Sequence, residues 1–147
     1  MTIPLLQLQF YKQNNIQESM NESNDELLHE ARSALKNSYS PYSHFNVGAA
    51  IRTEDGKIFT GTNIENVSFS LTMCAERVAA FKAISAGYRS FTHLAIVSSS
   101  GAPTFPCGAC RQVLIEFNPN LIIRLEGNEK EIFQLADLLP NAFTKTS

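Results

Sequence analysis

Nowhere does this chain run to the roughly 18 consecutive apolar residues that a membrane span requires, and it offers no secretory core. Ile3-Pro4-Leu5-Leu6 has no Lys or Arg before it and is followed by Gln7 and Gln9, short of the about 7 to 15 apolar residues of a signal h-region. The expectation is a cytoplasmic protein, neither exported nor embedded. An excess of positive charge is also missing: 12 Lys and Arg stand against 14 Asp and Glu, for a net charge of −2 and a pI near 5.9. Affinity for a phosphate backbone comes chiefly from clustered Lys and Arg, so this balance argues against a nucleic-acid partner and favours a small, neutral substrate. Cysteine is scarce, with three in 147 residues. An odd count that includes a Cys-x-x-Cys pair does not make a disulfide framework; it points to metal or redox chemistry in a reducing compartment.

The remaining composition, 44% hydrophobic and 18% charged, is that of a globular protein, and a domain of this length buries about 68 to 70% of its unfolded surface without needing a staple. Residues 1–22 differ in texture from the rest. Leu6, Leu8 and Phe10 alternate with glutamines and lead into Lys12-Gln13-Asn14-Asn15, which reads as a short extended piece and a leader that is flexible or docked on the body. Residues 23–147 are expected to form a single domain.

Ser23-Asn24-Asp25-Glu26 has the form of a capping box, and Leu27, Leu28, Ala31, Ala34 and Leu35 recur at helical spacing, which predicts a helix from Asn24 to Tyr39 ended by Pro41. Asp55-Gly56 between Asn46–Thr53 and Lys57–Ile64 predicts an antiparallel hairpin. Ala75 to Ala86, closed by Gly87, predicts a helix apolar nearly all round and therefore in the core. Leu94–Val97 and Leu121–Leu125 read as buried strands, Gly108–Phe117 as a helix stopped before Pro119, and Glu131–Phe133 as a last short strand. That order predicts an α/β fold: a three-layer α/β/α arrangement with a central mixed five-stranded sheet and helices on both faces.

Cys74-Ala75-Glu76 and Pro106-Cys107-Gly108-Ala109-Cys110 carry the chemistry. Cys74 opens the second helix, and Cys107 and Cys110 open the third. Free N–H groups and partial positive charge at helix starts favour the thiolate that zinc needs. Structural zinc takes four protein ligands, catalytic zinc three and a water; three cysteines predict the second case. His29, His44 and His93 fall at no motif spacing to a cysteine and read as surface or supporting histidines. Three thiolates leave the site with a charge of about −1, which Arg77 and roughly +0.5 from each helix end would offset. Water on such a metal has its pKa lowered from 15.7 towards about 7, and Glu76, beside a ligand, is the natural proton carrier. On its own, a first-turn glutamate would read as a solvated residue favoured by the helix dipole. A thioredoxin-like redox pair is the competing reading of Cys107 and Cys110, and the third cysteine with its glutamate disfavours it.

These motifs resemble the cytidine deaminase family in its small, homotetrameric, three-cysteine form, whose signature is H-x-E with P-C-x-x-C and a Cys in the first place. The likeness extends through Tyr39-Ser40-Pro41-Tyr42-Ser43-His44-Phe45-Asn46-Val47-Gly48-Ala49-Ala50, Asn63-Ile64-Glu65-Asn66 and Leu138-Leu139-Pro140-Asn141-Ala142-Phe143. The resemblance implies a cytidine deaminase-like fold, one zinc per subunit, and hydrolytic deamination of cytidine and 2′-deoxycytidine in pyrimidine salvage. Activated water would attack C4 of the base while Glu76 moves the protons. The resemblance also implies that Asn63 and Glu65 hydrogen-bond the ribose, that Phe45 packs on the pyrimidine, and that backbone around Ala75 helps hold the base. Phe143 would be lent by a neighbouring subunit of a homotetramer. Without the resemblance, Phe45 and Phe143 read as core aromatics and Asn63 with Glu65 as a polar strand end. Phe69 stands where the family commonly has Tyr, so any hydrogen bond from a hydroxyl there is lost. Two alternatives stay open: a deaminase of another aminopyrimidine such as blasticidin, and a non-catalytic zinc-stabilised binding module. An RNA or DNA base editor is disfavoured, because no basic, aromatic-interleaved face is visible.

Overall fold

A computed structural model describes residues 25–127 and 131–145; the leader expected over 1–22, and Ser23 and Asn24 of the capping box, lie outside them. The first helix, α1, covers 25–34 and tightens into a 3-10 turn at Leu35–Asn37. It stops short of Tyr39 because that residue is recruited elsewhere. The Tyr39 N–H donates to the Asn63 carbonyl at 3.1 Å, and its own carbonyl accepts from Glu65 N–H at 2.8 Å.

β1 (Val47–Thr53) and β2 (Ile58–Thr62) form the expected hairpin, with Gly56 at φ 90° supplying the conformation that the Asp-Gly turn needs. Then follow α2 (Ala75–Ser85), β3 (Phe91–Ser98), α3 (Gly108–Ile115), β4 (Ile122–Leu125), β5 (Glu131–Gln134) and a short α4 (Leu135–Leu138). The five strands lie in the order β2-β1-β3-β4-β5; β3 and β4 are parallel, the other neighbours antiparallel. The mixed sheet is therefore the one predicted. β3 outruns its apolar stretch because His93 and Phe91 pair with Arg52 and Thr53 at one end and Ser98 pairs with Val47 at the other. No sequence signal announced α4.

Strand alternation divides the core. Ala49, Ile51, Leu94, Ile96, Ile123 and Leu125 point to one face, beneath the alanines of α2, Leu114 and Ile115 of α3, and Leu135 of α4. Ala50, Ala95 and Val97 point to the other, beneath Leu27 and Ala31 of α1. The expectation that α2 is buried all round needs correction. Ala75, Glu76, Ala79, Ala80 and Ala83 are buried, while Phe81 is 42% exposed and forms, with Val78 and Phe59, an apolar groove on the outer side. Only one side of the helix can meet a flat sheet. No described helix is long and apolar enough to cross a membrane.

Two glycines set how closely the layers approach. A Cβ on Gly48 would fall 2.1 Å from the Ala31 carbonyl oxygen of α1, and one on Gly61 would fall 2.4 Å from both Ala75 O and Ala79 N of α2. Backbone thus packs on backbone at both places. Gly61→Ala should displace α2 from β2 and lower the unfolding free energy by about 1 to 3 kcal/mol, the usual cost of overpacking. Urea unfolding measures this, and an unchanged midpoint with an unchanged slope would show that the contact is not rigid.

Candidate active site

Cys74 and Cys107 occupy the N-cap positions of α2 and α3, with extended backbone angles, and Cys110 sits in the first turn of α3. Both helix starts bring their sulfurs to one point. The Cys74 and Cys107 Sγ atoms lie 3.8 Å apart, those of Cys107 and Cys110 3.5 Å, and all three fall within 4.8 Å of one another. A tetrahedral metal with Zn–S bonds of about 2.3 Å puts its sulfurs about 3.8 Å apart. The cysteines are free thiols, and the donor set they gather fits zinc. Among the described residues no other group of His, Cys, Asp or Glu gathers in this way, and none of the three histidines joins it.

The electrostatics of the cluster are uneven. A hydrogen bond from Cys110, helped by Arg77 and Cys107, pulls the Cys74 thiol down to about 5 against the opposing effect of burial. Cys110 is pushed up, chiefly because it donates to Cys74 and also because it is buried. Arg77 Nη2 lies 3.6 Å from the Cys74 sulfur, where the sequence expected a compensating guanidinium. Glu76, 4% exposed, is pushed up to about 7, mainly by burial and further by the negative charge of Cys74, with Arg77 opposing.

Cys74, Cys107 and Glu76 line a cavity of about 300 Å³ that also takes in Phe45, Asn63, Glu65 and Ala75. Cys110 lies buried behind it. Phe143 lies apart from this cavity in its own chain: its ring is 85% exposed and its carbonyl accepts from Gln112 Nε2 at 2.8 Å. Phe69 does not line this cavity but an adjoining one of about 420 Å³, with Tyr42, Ser43, Glu65 and Thr72; it is 73% exposed and edge-on to Tyr42, with ring centroids 5.8 Å apart. Glu65 accepts from the N–H groups of Tyr42 at 2.9 Å and Ser43 at 3.2 Å, and from the Ser43 hydroxyl, which holds its carboxyl below the usual range.

Several lining residues carried no sequence signal of their own. Ser43, Thr72, Met73, Thr104 and Phe105 all face the cavity, and Phe105 rests on Phe133 of β5 with ring centroids 5.0 Å apart. Arg111 was also missed. Its Nε donates to the Pro106 carbonyl and its Nη1 to the Leu138 carbonyl, each at 2.7 Å, bracing the loop that presents Cys107. Its place directly after the second cysteine of the pair was the only hint.

Residues 21–125 match the family described as the cytidine and deoxycytidylate deaminase zinc-binding region. The chain is 49% identical over 125 residues to cytidine deaminase from Sporosarcina psychrophila, covering 82% of this chain and 91% of that one. It is 47% identical over 122 residues to cytidine deaminase from Halalkalibacterium halodurans, covering 80% and 92% of the two chains. Among solved structures, cytidine deaminase from Burkholderia pseudomallei superposes with a TM-score of 0.77 at 46% identity, over 81% of this chain and 98% of that one.

Cys110→Ala removes one of three donors from a site with no described fourth, so the purified protein should lose nearly all its zinc. Elemental analysis by mass spectrometry checks this, and a variant with full metal content would overturn the ligand assignment.

Proposed function

The chain belongs to the cytidine and deoxycytidylate deaminase family, and we propose on that footing that it hydrolyses the exocyclic amine of cytidine, and of 2′-deoxycytidine, to give the uridine counterpart and ammonia. One observation carries the reading: three sulfurs within 4.8 Å of one another stand beside a buried glutamate, at a cavity that also holds Asn63 and Glu65.

Cys74, Cys107 and Cys110 would hold the zinc, which when bound would supply a Lewis acid lowering the pKa of water from 15.7 to about 7. Glu76 takes a proton from the attacking water, whose oxygen adds to C4 of the base, and hands that proton to N3. It then carries the proton of the new hydroxyl to the amine. The C4–N4 bond breaks with its electron pair on nitrogen, and ammonia departs. Phe45 packs on the pyrimidine, and backbone around Ala75 holds the base. Glu65 accepts a hydrogen bond from the sugar, with Asn63 beside it; Oε2 of Glu65 is already engaged by two backbone N–H groups.

The active unit is a homotetramer in which Phe143 of each chain completes a neighbour's cavity. Support comes from apolar surface that the single chain leaves open: Phe143, the Phe81 groove on α2, and Val67, Phe69 and Leu71 at 77%, 73% and 65% exposure. The free cysteines support a cytoplasmic location, since thiolates persist in a reducing compartment.

An ammonia-release assay across cytidine, 2′-deoxycytidine, cytosine and blasticidin, with zinc quantified on the same sample, tests the substrate. Turnover of the two nucleosides far above the others is expected, and preference for blasticidin would replace the reading. Glu76→Gln should keep its zinc and lose activity by about 10²-fold or more, the range for general acid–base groups; a loss of only a few-fold would remove Glu76 from its role. Light scattering should return four times the chain mass, and Phe143→Ala should raise KM without dissociating the assembly. A monomer with full activity would refute the shared cavity.

A further inference from the structure

Asn63 is 8% exposed, and most of its hydrogen-bonding capacity is spent inside the chain. Its Oδ1 accepts from the Val47 N–H at 2.9 Å and from the Ser38 hydroxyl, while Nδ2 donates to the Phe45 carbonyl at 2.7 Å. Its backbone N–H donates to the Val47 carbonyl at 3.2 Å. A carboxamide has two acceptor sites and two N–H donors, so a single N–H remains for any ligand. Three of the four bonds grip the segment Phe45-Asn46-Val47, between them holding the carbonyl of Phe45 and both polar backbone groups of Val47. The turn entering that segment is unfavourable by itself, because His44 has φ 56°, and a non-glycine residue there persists only where its surroundings hold it.

We propose that Asn63 is a positioning residue: it staples the backbone on both sides of Asn46 and so fixes the Phe45 ring against the pyrimidine, apart from any contact with the sugar. The argument rests on the deaminase reading above for the identity of the base. A sugar ligand and a staple predict different substrates to be affected. If Asn63 served only the sugar, its removal would matter little for a nucleoside without ribose hydroxyls. If it holds Phe45, the loss follows the base.

Wild type, Asn63→Ala and Asn63→Asp are compared on cytidine and on 2′,3′-dideoxycytidine. Asp keeps the acceptors for Val47 and Ser38 but sets a carboxylate oxygen against the Phe45 carbonyl. Both variants should raise KM for dideoxycytidine by about 10-fold or more, the scale of one or two lost buried hydrogen bonds, with kcat changed by less than about 3-fold. A dideoxycytidine KM within about 2-fold of wild type overturns the proposal. So does a fall in kcat at constant KM, which would mark a folding defect alone.

Ser38 is outside the cavity lining, and Ser38→Ala keeps the proposal testable if the Asn63 variants fold poorly. It should raise KM for both nucleosides by about 2- to 5-fold; equal KM values overturn the staple. Hydrogen exchange over 45–47 supplies a readout without substrate. Exchange should quicken in Asn63→Ala, where the Val47 amide loses its acceptor, and unchanged protection would overturn the proposal. If wild type turns over no nucleoside, the functional reading fails while the exchange result still decides the staple.

Discussion

The contact of bare backbone between Gly61 and the first turns of α2 is the constraint on which the site depends. It brings the helix start against the end of β2, and the sequence carries the consequence in steps of two. Gly61 turns its hydrogen to α2, and Asn63 and Glu65 follow on the same side, where they line the cavity beside Cys74 and Glu76. A side chain at Gly61 would separate the reacting end of the site from its binding end. The alanines of α2 extend this economy of size along the helix.

Charge in the site is arranged against its ordinary tendency. Glu76 is buried beside sulfur, so its ionised form loses hydration and gains repulsion. The same helix start offers N–H groups and Arg77 to the sulfur one turn away. The local result is an acid that holds its proton near neutrality beside a thiol that gives its proton up. That contrast between adjacent groups would suit the proton-carrying role proposed for Glu76.

The sheet and its first three helices were legible because apolar periodicity, the Asp-Gly turn and the glycine that ends α2 are local signals. The cysteines were legible because their spacing is tied to two helix starts. What escaped is the part made by distant segments meeting. Phe105 faces the cavity because Phe133, far along the chain, supports its ring. Tyr39 left its helix for a bridge to residues beyond 60. Asn63 was legible as a polar strand end and, through the resemblance, as a sugar ligand, but no pattern reveals that it is occupied by residues 38 to 47. The outer side of α2 read as core because hydrophobicity records that a surface seeks cover without recording what covers it.

Arg111 has one more consequence, in the order of synthesis. All three sulfur donors have been translated by residue 110, yet the guanidinium that steadies the loop before Cys107 finds its second acceptor on Leu138. A nascent chain therefore carries its full set of donors while the brace is still to be made. The finished metal pocket thus waits on residues translated well after its third ligand.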